Sequence, residues 1–136
     1  MKRLLFFVLM MVCSVSFADW EIGHVDDDFV LYYDKSTIRR DGVIAKMWVM
    51  KNYFTAQMTF DKKSYKSAKN FFHFNCKDEL IILFSIALFP ESSGRGSAVV
   101  SATLKENEKN WKPVVPASID AENWKIACGE PVNKIV

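Results

Sequence analysis

Apolar and polar residues alternate along much of this chain with a period of two. Phe29, Leu31 and Tyr33 fall on one side of an extended segment and Val30 and Tyr32 on the other, the spacing of a β-strand. Asp41-Gly42 follows. Both residues tolerate positive φ, so the pair predicts a tight hairpin. It joins a short strand around Thr37–Arg39 to a longer one over Val43–Tyr53. Phe54–Lys66 is polar and weakly patterned and reads as a loop or ragged edge. Alternation returns over Asn70–Cys76, with Phe72, Phe74 and Cys76 on one face and Phe71, His73 and Asn75 on the other. Lys77-Asp78 predicts a turn. Leu80–Phe89 is apolar on both faces and too short to cross a bilayer as a helix, so it reads as a buried strand. Ser92–Gly96 predicts a hairpin tip. Ser97–Leu104 predicts a strand with Ala98, Val100, Ala102 and Leu104 inward, Ser97, Ser101 and Thr103 outward, and Val99 as the exception.

The period changes near the C-terminus. Pro116-Ala117-Ser118 precedes a short helix over Ile119 to about Cys128. Ser118 is placed to cap free N–H groups, and Asp120 and Glu122 suit the positive end of the helix dipole. Ile119, Ile126 and Ala127 sit near one face, flanked by Ala121 and by Trp124, which we assign to the core. Gly129 is placed to end the helix in a left-handed conformation. The fold class is therefore α+β: an antiparallel sheet of about six strands with one short C-terminal helix.

Area then bears on assembly. Six strands of about six residues make a face of roughly 29 by 20 Å, whereas a ten-residue helix is about 15 Å long and about 10 Å wide. Val43–Met50 and Leu80–Phe89 are apolar on both faces. Either the sheet curls over itself or a second molecule covers the remainder, and a homodimer is our expectation.

The first eighteen residues stand apart. Lys2 and Arg3 precede an unbroken apolar run, Leu4–Val12, and Ser16-Phe17-Ala18 supplies small residues where a signal peptidase cuts. Residues 1–18 are read as a signal peptide cleaved between Ala18 and Asp19, leaving 19–136 as a single domain. Cys13 raises lipidation as a rival, but Val12 stands where a lipoprotein signal carries Gly, Ala or Ser. Membrane association is expected only if Cys13 is lipidated.

Export changes the meaning of the cysteines. Cys13 leaves with the leader, so Cys76 and Cys128 remain in an oxidising compartment, where a disulfide is expected. Two free thiols are the alternative. The bond would close a loop whose chain entropy is worth roughly 4 kcal/mol and would pin the helix to the sheet. Two Cys and two distant His provide no zinc spacing. Without Lys2 and Arg3, the 18 cations of the whole chain fall to 16 against 16 carboxylates. Zero net charge excludes a dedicated nucleic-acid binder and fits a chain that is bound to a partner or self-associated.

No catalytic motif stands out, and no cofactor or metal is called for: G-x-S-x-G, H-E-x-x-H and the P-loop are all missing. His24 with Asp26, Asp27 and Asp28 reads as a solvated acidic turn rather than a cation site. His73 reads as a half-buried strand histidine. Gly94-Arg95-Gly96 reads as a turn rather than an anion cradle. Lys62, Lys63, Lys66 and Lys69 are four cations in close succession, suited to an acidic partner or to keeping a sheet edge polar. Of the four tryptophans, Trp111 is the best exposed candidate for partner contact.

Trp20, Tyr32-Tyr33-Asp34, Ser36-Thr37-Ile38, Asp41-Gly42, Lys46-Met47-Trp48, Ser67, Cys76, Gly94, Gly96, Trp111, Val114-Val115-Pro116-Ala117-Ser118 and Cys128 stand in an order that resembles the surface-adhesin protein E family of small exported bacterial proteins. The likeness runs from about Trp20 to Cys128. It implies an antiparallel sheet with a disulfide-tied C-terminal helix and a tendency to dimerise. It also implies periplasmic or surface location in a Gram-negative cell and binding of host extracellular-matrix or serum proteins such as vitronectin, laminin and plasminogen. Lys62, Lys63, Lys66, Lys69 and Trp111 are the candidate contacts read from the residues themselves. The alternative is a periplasmic small-ligand carrier or inhibitor, which predicts a deep pocket lined by Trp48, Phe72 and Phe84. An enzyme is not expected, because two isolated His form no convergent titratable pair.

Overall fold

The computed structural model describes residues 19–129. Three long strands in sequence form its centre: β4 (Ile44–Met58), β5 (Ser64–Asn75) and β6 (Leu80–Phe89). Shorter strands line both sides. β1 (Glu21–Val25) pairs with β2 (Phe29–Tyr33), which runs along Val49–Tyr53 of β4, while β3 (Arg39–Asp41) runs along Ile44–Lys46. On the far side β7 (Val100–Thr103) and β8 (Lys112–Pro113) line successive parts of β6. All pairings are antiparallel, and the main order β1-β2-β4-β5-β6-β7 has the six strands expected.

Each departure from the expected pattern has a local cause. The strand expected at Thr37–Arg39 begins only at Arg39, because residues 35–37 are drawn into a 3-10 turn. The Asp34 carboxylate, nearly inaccessible, accepts from the Ser36 N–H at 2.9 Å. Thr37 Oγ1 then donates to the Asp34 carbonyl at 2.6 Å and accepts the Trp48 N–H at 3.1 Å, so the turn replaces ladder bonds it interrupts. Asp41-Gly42 does make the hairpin, with Gly42 at φ +58°.

Phe54–Lys66 is not a loop. β4 runs on to Met58 and β5 begins at Ser64, around a turn at residues 59–63. The last partners of β4 and β5 within the sheet are Phe29 and Phe89, opposite Tyr53 and Ser67. Beyond them the hairpin projects into solvent on both sides, and its register slips between Asn52 and Gln57. A strand with no inside carries no alternation, which is why the pattern fades there.

Ser92–Gly96 is likewise no protruding tip. The Gly94 N–H donates to Ser67 Oγ at 2.9 Å, Ser67 Oγ donates to the Glu91 carbonyl at 2.6 Å, and the Ser93 N–H donates to Asn52 Oδ1 at 2.7 Å. These bonds fold the segment back over the sheet. Gly94 has φ +68°, a conformation that favours glycine, and a Cβ there would have to displace the end of the Lys69 side chain. Of Ser97–Leu104, only Val100–Thr103 is strand, and Ala98 and Ala102 are exposed. An outermost strand has no layer above it to bury them.

One face of the sheet carries the core. Ala45, Met47, Val49 and Phe74 are fully buried, with Leu31 and Ile81 nearly so, beneath α1 (Ile119–Cys128). Ser118 Oγ caps α1 by accepting the Ala121 N–H at 3.1 Å. The helix turns Ala121, Asn123, Trp124 and Ala127 to the sheet, while Ile119 and Ile126 are only partly buried. Trp124 thus occupies the centre of the contact rather than its flank. Gly129 leaves the helix at φ +74°, ψ 134°: φ is positive, as expected, but ψ lies outside the left-handed helical cap.

Cys76 and Cys128 are bonded, with Cα atoms 5.5 Å apart, and tie the end of α1 to the end of β5. Trp124 Nε1 donates to the Asn75 carbonyl at 3.0 Å, and Arg40 donates to the Cys128 carbonyl at 2.7 Å. Replacing both cysteines with serine is expected to cost roughly 4 kcal/mol of unfolding free energy. Denaturant titration of the purified domain checks this, and an unchanged midpoint would contradict the role given to the bond.

Candidate functional site

The hairpin that outruns the sheet presents the most accessible large apolar side chain, Phe60. Its turn is built by Thr59 and Lys63. The Thr59 N–H donates to the Lys63 carbonyl at 2.9 Å, and the Lys63 N–H donates back to Thr59 Oγ1 at 2.9 Å. Thr59 Oγ1 also donates to Asp61 Oδ1 at 2.6 Å, and Lys63 Nζ lies 3.3 Å from Asp61. These contacts, the Thr59 hydroxyl first, hold the Asp61 carboxyl below its ordinary pKa. With Thr59 and Asp61 engaged, Phe60 is left fully exposed, and Met58 and Phe54 are 60% and 55% exposed. Lys62, at φ +63°, is exposed beside them.

The four lysines do not form one patch. Lys62 and Lys63 share the tip, but Lys66 and Lys69 are half-buried along β5 and, three residues apart, point to opposite faces. Lys69 lies 5.4 Å over the Phe89 ring and against Gly94. Trp111 is half-buried next to β8, which pairs with Leu80 and Ile81. That is the opposite end of the sheet from the tip. Phe60, which the sequence reading passed over, is the residue that completes the tip. Its one signal was an aromatic standing alone in a polar turn.

The face of the sheet turned away from α1 carries an aromatic row. Trp48 stacks on Phe71 at 4.8 Å, Phe71 meets His73 edge-on at 5.1 Å, and His73 stacks on Phe84 at 4.3 Å. Lys109 reaches over Phe84 and pairs with Glu106 at 2.7 Å. His73 is buried, more so than the half-burial expected, and its Nε2 has no hydrogen-bond partner. Burial, assisted by Lys46 and Lys109, lowers its pKa to about 4. Phe72 points to the other face, toward α1. The single deep pocket of Trp48, Phe72 and Phe84 therefore does not exist, because successive residues of β5 alternate sides.

The remaining candidates are structural. Asp26 Oδ1 accepts the N–H groups of Asp28 and Phe29 at 2.8 and 3.0 Å, which lower its pKa. His24 lies 3.8 Å from Asp26 and 3.7 Å from Glu122. Among the described residues no three His, Cys, Asp or Glu side chains gather closely enough to hold a metal ion. The Gly94 N–H is spent on Ser67 rather than on an anion. Among the described residues no helix is long and apolar enough to cross a membrane.

The chain is an antiparallel sheet closed on one face by a disulfide-tied C-terminal helix, with an exposed apolar hairpin tip at one end. The chain belongs to the surface-adhesin protein E family, whose model matches residues 20–129. It is similar in fold to Haemophilus influenzae protein E. Crystal form II of that protein is 16% identical, with a TM-score of 0.56 over 78% of this chain and 91% of that one. A second structure of the same protein is 17% identical, with a TM-score of 0.55 over 78% and 87%. No curated protein sequence matches the chain.

The buried histidine sets a pH dependence. Its folded pKa lies below the unfolded value near 6.5, so the unfolded chain binds more protons between about pH 6.5 and pH 4. The stability present above pH 6.5 is therefore lost as pH falls through that window, by roughly 2–3 kcal/mol. His73→Phe is expected to keep the stack on Phe84 and flatten the fall. Chemical unfolding at pH 7 and pH 4.5 checks the difference between the two proteins.

Proposed function

We propose that this protein is a non-enzymatic adhesin of the Gram-negative cell envelope that binds host extracellular proteins, with vitronectin, laminin and plasminogen as the candidates. The observation that carries the reading is the tip of the β4–β5 hairpin, where Phe60 stands fully exposed beside Met58, Phe54, Lys62 and Lys63. An aromatic anchor with cations alongside is the composition of a binding hot spot. Family membership supports adhesion in general. Lys66, Lys69 and Trp111 lie outside the tip and contribute less. Export with cleavage between Ala18 and Asp19 belongs to the same reading; Asp19 is the first described residue, and Cys13 and Ala18 lie outside the described part.

Self-association belongs to it too. β1 is an edge strand, with Ile22 62% and Val25 58% exposed along it, and an unprotected edge pairs readily with a second copy. Ile22→Lys with Val25→Lys is expected to turn a dimer into a monomer by sedimentation velocity. A monomeric parent protein would remove self-association from the proposal.

Binding is tested with purified mature protein on immobilised vitronectin, laminin and plasminogen. Saturable binding to at least one is expected, weakened about tenfold by Phe60→Ser and more weakly by Lys62→Glu with Lys63→Glu. No saturable binding to any of the three would reject them as ligands. Surface proteolysis of intact cells is expected to clip the protein. Complete protection would place it in the periplasm and reject host adhesion.

A further inference from the structure

Three polar side-chain atoms are buried without a hydrogen-bond partner among the described residues, and two lie on the helix side of the sheet. They are Asn70 Oδ1 and Asn123 Oδ1, on residues 7% and 2% exposed. Buried polar groups are nearly always paired, and the other buried polar residues, Asp34 and Ser67, are. The third unpaired atom belongs to His73, on the opposite face. The two asparagines come from different elements: Asn123 lines a cleft together with Val49, whereas Asn70 is the cross-strand partner of Val49 and is not in that lining.

That cleft opens between α1 and the sheet. It has a volume of about 300 Å³, with Leu31, Val49, Phe72 and Ile119 as its apolar walls. Past Phe72 and Asp120 it meets a second cleft of about 400 Å³, walled by Ile81, Leu83 and Leu104. Size and lining are those of a small-molecule site, apolar with few convergent polar groups. We propose that the cleft under α1 binds a small uncharged amphiphile, with its hydrocarbon body on Phe72 and a hydrogen-bond-donating head at Asn123.

The chemistry of the lining selects the class. The unpaired atom of Asn123 is an acceptor, so the head must donate. An amide turned the other way leaves an N–H unpaired instead, so a head that both donates and accepts, a primary amide or a hydroxyl, fits either way. Charged residues stand only at the rim, Asp120 and Glu108 beside Lys51 and Lys112. Lys51 already lies 4.6 Å over the Phe29 ring. A charged head drawn in to Asn123 would lose its water and gain no counter-ion.

Octanamide and N,N-dimethyloctanamide test this on the mature protein, since they share chain and carbonyl and only the first donates. Octanamide is expected to shift the side-chain amide NMR signal of Asn123 saturably and to bind at least about fivefold more tightly than its dimethyl analogue. Asn123→Leu is expected to erase that preference and to raise the melting temperature of the unliganded protein. Equal affinities, or no saturable shift at Asn123, would overturn the proposal and leave the cleft a hydrated packing gap. Phe60→Ser is expected to leave octanamide binding unchanged, which separates this site from the host-protein surface.

Discussion

A helix of ten residues has too few hydrogen bonds to persist alone in water. Here it is the only layer over the core face of an eight-stranded sheet. Trp124 inserts at the centre of that contact, its indole nitrogen bonded to the Asn75 carbonyl that ends β5, and the following residue, Cys76, bears the sulfur that binds Cys128. Arg40 closes the same corner from β3, its charge on a helix carbonyl at the negative end of the dipole. The burial of Leu31, Met47, Val49 and Phe74 rests chiefly on that corner, with Ile38 and Val114 packed against the same core.

Fixing the helix at its C-terminal end leaves the N-terminal end less closely packed. The disulfide, Trp124 and Ala127 hold the last two turns, while Ile119 at the start is only partly buried. The cleft and the unpaired Asn123 amide lie toward this looser end. The opposite face is closed by other means: an aromatic row and the Ser92–Gly96 segment, which Ser67 and Asn52 hold down. The two faces thus differ in character. One is a helix over a cleft, and the other is a panel of stacked rings around a buried neutral histidine.

The exposed tip follows from unequal strand lengths. β4 and β5 continue past the ends of β2 and β6, so their last residues have no neighbours and no cover. Met58 and Phe60 therefore contribute nothing to the core. Large apolar side chains left at such a place are evidence of contact with something else. The contact proposed above is placed at this end of the molecule, which the half-buried Lys66, Lys69 and Trp111 do not share.

Strand identity over Phe29–Tyr33, Asn70–Cys76 and Leu80–Phe89, the Asp41-Gly42 turn, and the capped helix from Ile119 were legible in the chain itself. Each depends on contacts between near neighbours: alternation on a pleat, a positive φ, or a hydroxyl three residues from an N–H. The cysteine pairing was legible because only two cysteines follow the expected leader. Tertiary structure decided the rest. Whether Phe54–Met58 is strand, which way Ser92–Gly96 folds, and that Phe60 is bare while Trp111 is half-covered all depend on where neighbouring strands stop. So does the placing of Asn123 and Val49 in one cleft. Residues far apart in the chain carry no mutual signal in a single sequence, and only the packing of α1 on the sheet brings them together.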